Sequence, residues 1–316
     1  MSNIADVLRP NWLPGLADIS GRTTTALKGW LTERHYVFDS HAVATGWKFY
    51  TTDLDGLLRA IAFDVNRMSC ASFESIYGVI GGREIQRSSA WMLIRAYYSA
   101  FFAAHAIGRI FSESYTQIDR TQATAINLEI PTTGTVPQIT DGLHLITALP
   151  ASQEFVIRRI NRHGVHEDIW TAFGALLQRL SAQALVSPYP NAADRQQVSS
   201  FIDDTIGIMQ TDPAFTRSSW LSYMRNSINY QHQHGTWFPH DRSGTFRQEI
   251  SDNFSKWTKD PSIVHARNEH TLSRFSLGCT ALVAMNRDLV EDMKDRNSDN
   301  DSFLDYAAAP VLEQTR

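Results

Sequence analysis

Residues 83–111, REIQRSSAWMLIRAYYSAFFAAHAIGRIF, constrain the fold more than any other stretch, because their helical pattern is apolar nearly all round. A helix without a polar face has to be buried, so we expect this one at the centre of a bundle. Its small residues, including Gly108, permit the close approach of neighbouring helices. Arg95 and His105 interrupt the apolar surface. We expect Arg95 to be ion-paired and His105 to be hydrogen-bonded inside the bundle, with support of a functional site as the alternative.

Apolar residues at helical spacing predict further helices on both sides of this segment. They cover Thr23 to His35, Leu54 to Val65, Ala71 to Ile80, 152–162, Val165 to Ala184, Asp194 to Met209 and Ile263 to Met293. Short β-capable runs lie at 35–38 and 47–51. Residues 113–150 are rich in Thr, Gly and Pro, which favours an insertion with one or two short strands or a long loop.

The fold class predicted from these patterns is mainly α: a helical bundle with an additional N-terminal segment and a loop or short-strand insertion. We expect residues 1–82 to form a mixed segment that packs on the core. Residues 83–293 would form the helical domain, with the insertion at about 113–150. The polar, acidic end, 294–316, is predicted to be a flexible tail.

Composition limits the functions that the chain can have. The net charge of −4 provides no global basic field, so a nucleic-acid partner would have to bind a local patch. The two cysteines define neither a zinc motif nor a disulfide framework, which suits a reducing cytoplasm. The N-terminus lacks a signal-peptide layout, and no apolar run is long enough to span a membrane, so we predict a cytoplasmic protein without membrane contact.

The stretch Trp220–Pro239 carries two unlike stripes on one predicted helix. Leu221, Met224 and Ile228 form an apolar stripe at i, i+3 and i+7. The second stripe consists of Arg225, Asn229 and His232, and Asn226 and Tyr230 lie on an adjoining strip. Positions seven apart on a helix point within roughly 20° of each other, so a cation, an amide and an imidazole would share one face.

Three interpretations of the polar stripe stay open at this point. His163/His166 and His232/His234 could ligate a metal, but their order is not that of a metalloprotease and no carboxylate cluster accompanies them. Alternatively, the imidazole could transfer protons and the guanidinium could bind phosphate during metal-independent RNA cleavage. The third interpretation is structural, with the stripe paired to acidic residues of a neighbouring helix.

The motif Arg225-Asn226-x5-His232 resembles the ribonuclease motif of the HEPN superfamily, an Arg, preferably followed by a polar residue, and a His after four to six intervening residues. Here six residues intervene, at the long end of that range. The segment from Arg95 to His105 is similar to an Ala- and aromatic-rich helix that precedes the motif in HEPN bundles. The resemblance covers about 84–112 and 165–293, roughly half of the chain.

The resemblance implies a metal-independent endoribonuclease without a cofactor, acting as a homodimer in which two motifs face each other around RNA. Toxins and antiviral-defence effectors are common in this superfamily, so an operon-encoded regulatory partner is a further expectation. His232 would act as general base or acid, Arg225 would stabilise the phosphate charge, and Asn226 would hold the phosphate or position the imidazole. The alternative is an inactive HEPN-like module for RNA binding, dimerisation or another interaction.

Three further residues are predicted to support the site or bind RNA, although they fall outside the strict motif. They are Asn229, Tyr230 and His234. The alternatives are core packing for Tyr230 and helix capping for His234. In toxins paired with nucleotidyltransferase antitoxins, a Tyr occupies the second position after the motif His. That position is His234 here, which argues against this particular kind of regulation.

Overall fold

The computed structural model describes residues 3–80, 88–132, 136–160, 162–211, 215, 217–241, 243–261 and 270–314. The protein is mainly α, as predicted, with a small five-stranded sheet. In the described residues the helices are α1 (Ile4–Leu8), α2 (Leu27–Glu33), α3 (Leu54–Ile80), α4 (Ala90–Ile110), α5 (Arg120–Asn127), α6 (Val165–Leu185), α7 (Ala192–Met209), α8 (Trp220–Asn229), α9 (Arg247–Ser255), α10 (Thr271–Asp295) and α11 (Ala308–Gln314). Within these described ranges, no helix combines the length and the apolar character needed to cross a membrane.

Helix α4 lies at the centre of the bundle, as its apolar surface predicts. It packs against α3, α10, α8 and α6 and against the strand that follows it. The Ser99 hydroxyl donates to the backbone carbonyl of Ser72, 2.7 Å away, where α4 meets α3. Gly108 permits the close approach of that following strand, since a Cβ atom there would lie only 2.7 Å from the carbonyl oxygen of Glu113.

The two polar interruptions of α4 have different environments. His105 is buried, and its Nδ1 lies 3.2 Å from Nη1 of Arg109, so the prediction of a hydrogen-bonded histidine is confirmed. Arg95 is exposed and donates to the backbone carbonyl of Gly78 at 3.2 Å. The expectation of an ion pair for Arg95 was wrong for the described residues, because a helix-end carbonyl takes the place of a carboxylate.

The sheet combines the two β-capable regions of the sequence. Its strands are β1 (Tyr36–Ala42), β2 (Gly46–Thr51), β3 (Glu113–Ile118), β4 (Gly142–Leu149) and β5 (Glu154–Arg159), in the antiparallel order β1-β2-β5-β4-β3. Its buried face carries Tyr36, Phe49 and Phe155, and Trp30 of α2 packs on them. The strands of the N-terminal segment and of the insertion therefore form one sheet.

The predicted basic helix at 152–162 was wrong, because residues 154–159 form strand β5. Phe155 and Ile157 are buried, whereas Arg158 and Arg159 are exposed. This strand pairs with β2 on one side and β4 on the other. Burial of every second residue and backbone hydrogen bonds to a strand on each side outweigh the helical propensity of this short segment.

Three other helix boundaries differ from expectation. The two helices predicted at 54–65 and 71–80 are one continuous helix, α3, in which Phe73 and Ile76 are buried like Leu57 and Ile61. Helix α4 begins at Ala90 and α10 at Thr271. The predicted first turns at 84–87 and 263–269 lie outside the described residues.

The end of the chain is packed, so the predicted flexible tail at 294–316 was wrong for its described part. Phe303, Leu304 and Leu312 are buried. The Asn66 amide of α3 donates to the Phe303 carbonyl at 2.7 Å and accepts from the Ala308 N–H at 2.8 Å. These two hydrogen bonds of one side-chain amide hold the C-terminal segment against the bundle. The polar composition of the segment gives no indication of this packing.

Candidate functional site

Helix α8 presents its apolar stripe to the core. Leu221, Met224 and Ile228 are buried, and α8 packs against α4 and α6. Helix α8 therefore lies directly against the central helix α4. The contact also determines that Arg225, on the same helix, faces aromatic residues of α4.

The polar stripe does not continue along one helix face. Helix α8 ends at Asn229, and His232 has a left-handed backbone conformation with φ 52°. The prediction that Arg225, Asn229 and His232 share a helix face was therefore wrong for His232. The chain turns three residues earlier than the pattern requires, which places this imidazole on the exit segment, where it is exposed.

The Arg225 guanidinium is enclosed by tyrosine rings. Its Cζ atom lies 5.4 Å from the ring centre of Tyr97, 5.7 Å from that of Tyr98 and 5.5 Å from that of Tyr230. Nη1 donates to Oδ1 of Asn226 at 2.8 Å. Aromatic faces attract a cation most strongly where water is excluded, and Arg225 is only 6% exposed.

No carboxylate of the described chain forms an ion pair with Arg225, and its buried Nε has no hydrogen-bond partner there. The described residues therefore do not show the pairing with acidic residues of a neighbouring helix that the structural interpretation predicts for Arg225. An unneutralised buried cation costs free energy, and such groups normally gain an anionic partner. The arrangement therefore retains the capacity to bind an anion.

His166, near the start of α6, is a second imidazole beside this cation. Its Nδ1 lies 2.9 Å from the Tyr97 hydroxyl, and its ring lies 4.5 Å from that of Phe101. Burial, together with the positive charge of Arg225, lowers the pKa of His166 to about 4. His166 is therefore neutral at pH 7.

The loop before α6 is held in place by Asp168. Its carboxylate accepts from the backbone N–H groups of Arg162 at 2.8 Å, His163 at 3.1 Å and Gly164 at 3.2 Å. Three such bonds to one buried carboxylate fix the entry to α6. They thereby fix the position of the His166 ring against α4.

His232 belongs to an aromatic cluster at the exit from α8. Its ring stacks on that of Trp237 with centres 5.3 Å apart, and Trp91 packs edge-on against the same indole at 5.2 Å. The Trp237 indole N–H donates to the Ile228 carbonyl at 2.7 Å, which anchors the exit segment to the last turn of α8. Trp91 is 56% exposed.

The supporting residues occupy different positions around Arg225. Asn226 is exposed and bonded to the guanidinium. Tyr230 is 68% exposed and covers Arg225, so the alternative of core packing is wrong. His234 lies 3.2 Å from the Ser227 hydroxyl through Nε2 and makes no side-chain cap to a backbone group of the described chain, while Asn229 is half-buried at the end of α8.

The histidine pairs considered as metal ligands are dispersed. His163 lies 2.7 Å from a guanidinium nitrogen of Arg217, while His166 bonds to Tyr97. Among the described residues, no three His, Cys, Asp or Glu side chains come together in a way that could hold a metal ion.

The low pKa of His166 predicts a loss of stability in acid. An unfolded histidine titrates near pH 6.5, so between about pH 6.5 and 4 the unfolded chain binds the extra proton. The stabilisation is complete above pH 6.5 and decreases as the pH falls. We expect the loss in unfolding free energy between pH 7 and pH 5, measured with urea, to be smaller in His166→Gln by on the order of 1 kcal/mol. An identical loss in both proteins would contradict this assignment.

Comparison of the chain with protein-family models, curated proteins and solved structures finds no match. The candidate site is therefore defined only by the positions and contacts of this chain's own residues. Arg225, Asn226 and Tyr230 are brought together, and His232 lies on the adjoining exit segment.

Sequence reasoning missed the role of residues from other helices. Tyr97 and Tyr98 stand out only as part of an aromatic-rich helix, and His166 as one of a local histidine pair. Two adjacent hydroxyl-bearing rings in a segment whose other aromatic residues are Trp and Phe are the one available signal. They predict that this side of α4 meets a partner with polar or cationic groups.

Proposed function

We propose that the protein is a metal-independent endoribonuclease of the HEPN type, which cleaves RNA at a composite site formed by two copies of the chain. The observation that carries the proposal is the cation Arg225, which forms no ion pair with a carboxylate of the described residues. It is buried beneath tyrosine rings, and the exit segment next to it bears an exposed imidazole, His232. A toxin or antiviral-defence effector is the biological role that this activity would suit.

The chemistry assigned to each residue follows from its charge. Arg225 neutralises the phosphate in the transition state, when the ribose 2′-oxygen attacks phosphorus and the bond to the 5′-oxygen breaks. His232 takes the proton from the 2′-hydroxyl or gives one to the leaving 5′-oxygen, because a neutral imidazole accepts a proton and an imidazolium donates one. Asn226 orients the guanidinium through its hydrogen bond.

The dimer follows from the need for two proton transfers and more than one cation around a single phosphodiester. One copy of the chain supplies one motif, and a twofold axis would bring two motifs together. The exposed rings of Trp91 and Tyr230 lie on the side of the molecule that bears the motif. They suit either the dimer contact or unpaired RNA bases.

The same aromatic surface favours a second candidate function, a non-catalytic RNA-binding or dimerisation module. Stacking of bases on exposed tryptophan and tyrosine rings binds single-stranded RNA without any chemistry. In that case RNA would bind with a Trp91-dependent affinity and remain intact.

Cleavage of labelled single-stranded and structured RNA in the presence of EDTA tests the proposal. We expect cleavage of RNA and none of the 2′-deoxy equivalent, and a decrease of at least about 100-fold in His232→Ala. His41→Ala is the matched control, because His41 also lies against a tryptophan ring, that of Trp47 at 5.1 Å, but in the sheet. RNA that stays intact at every protein concentration would favour the binding module instead.

A further inference from the structure

His166 and Arg225 share the same two tyrosines, although they lie on different helices. The His166 ring centre is 5.7 Å from that of Tyr97 and 6.1 Å from that of Tyr98. The Arg225 Cζ atom lies 5.4 Å and 5.7 Å from the same two rings. The imidazole and the guanidinium therefore both lie against one pair of aromatic side chains, and the charge of Arg225 acts on His166.

The hydrogen bonds of Tyr97 favour one tautomer of His166. The indole N–H of Trp170 donates to the Tyr97 hydroxyl oxygen at 2.9 Å. The hydroxyl keeps its own proton, which it can donate to Nδ1 of His166, also 2.9 Å away. Neutral His166 then carries its hydrogen on Nε2, the nitrogen not engaged by Tyr97.

We propose that Arg225 and His166 together form a binding site for one phosphate group, and that His166 takes up a proton when the phosphate binds. This inference rests on the proposed function, which assigns the phosphate to Arg225. It adds a residue that lies outside the ribonuclease motif and comes from α6. The ligand class is a phosphodiester of a single-stranded nucleic acid.

The groups that face His166 explain why the binding of an anion would lead to protonation of this imidazole. On α4 they are Tyr97, Tyr98, Phe101 and His105, and on α8 the facing group is Arg225. Burial also lowers the pKa of His105 well below its ordinary value, so that imidazole is neutral as well.

Within the described chain, no carboxylate contributes to the pKa of His166. A bound phosphate would be the first negative charge at this site. It would offset the charge of Arg225 and raise the pKa of His166. The resulting imidazolium would donate a charge-assisted hydrogen bond to the phosphate, beside the one from the guanidinium.

Access to the site is controlled by Tyr230. Its ring covers Arg225 and is itself 68% exposed, and its side chain makes no hydrogen bond to a described residue. Rotation of this single side chain would uncover the guanidinium without unfolding α8. Once displaced, the ring is positioned to stack on a nucleobase next to the bound phosphate.

Histidine NMR of the full chain labelled at ring carbons, with a 2′-deoxy tetranucleotide as an uncleavable probe, tests the inference. We expect the pKa of His166 to rise from about 4 by at least about one unit on binding. The dissociation constant should then decrease by up to about tenfold per unit of pH as the pH falls from the pKa of the bound state to that of the free state. His166→Gln should remove this extra pH dependence while it keeps the affinity at pH 8. His41→Gln should change neither.

Three outcomes separate this inference from the proposed function. If RNA is cleaved but saturating probe leaves the pKa of His166 unchanged, the inference is overturned and the ribonuclease proposal stands. If the pKa rises but RNA stays intact, the phosphate site is supported and the ribonuclease proposal fails. Probe binding that survives Arg225→Lys unchanged, or no binding at all, overturns the site itself.

Discussion

Arg225→Lys is expected to reduce RNA cleavage about 1,000-fold while the protein remains folded. Lysine keeps the positive charge, but its ammonium is compact and cannot lie flat between the tyrosine rings or present a planar fork to phosphate. The guanidinium that contacts Tyr97, Tyr98 and Tyr230 would be replaced by a group that must either leave the rings or remain desolvated among them. The measurement is the rate of cleavage at saturating RNA, with circular dichroism as the check on folding.

Arg120→Lys is the matched control for this substitution, because Arg120 is an exposed arginine at the start of α5. Its cleavage rate should stay within about twofold of that of the unmodified protein. A rate for Arg225→Lys equal to that of Arg120→Lys would remove Arg225 from the chemistry. It would leave the tyrosine-enclosed guanidinium as a packing element of the bundle.

The second large effect concerns stability and is expected in Arg109→Met. Arg109 and Asp64 form an ion pair between α4 and α3 at 3.3 Å, with both side chains almost completely buried. Arg109 also donates to the His105 carbonyl at 3.0 Å. Removal of this buried cation leaves the buried Asp64 carboxylate with only the half-exposed Arg67 as an ion-pair partner among the described residues. We therefore expect the free energy of unfolding to decrease by roughly 3 to 5 kcal/mol, measured with urea.

Arg67→Met is the control for this effect, because Arg67 also binds Asp64, at 2.8 Å, but from a side chain that is 46% exposed. We expect it to cost less than about 1 kcal/mol. The double variant Asp64→Leu/Arg109→Met should regain much of the lost stability, since no unpaired buried charge remains and the half-exposed Arg67 is solvated. A loss in Arg109→Met no greater than that in Arg67→Met would show that the buried pair adds little to the bundle.

The helices that sequence reasoning located best are those with the most one-sided or most complete apolar patterns. Helix α4 was predicted to be central, and it is, because no arrangement other than burial accommodates its surface. Helix α6 matches its prediction within one residue. Strand β5 was misassigned because six residues with two arginines carry too little periodicity, and its neighbours β2 and β4 determine its conformation.

In the candidate site, too, local features could be predicted from the sequence and long-range contacts could not. The sequence by itself determined that Arg225 and Asn226 are adjacent on a helix with one apolar side, since helical periodicity is a local property. The tertiary structure alone decided that α8 ends before His232, that three tyrosines enclose Arg225, and that His166 from α6 lies beside them. The physical reason is that these contacts join residues far apart in the chain, and only the packing of whole helices determines which side chains meet.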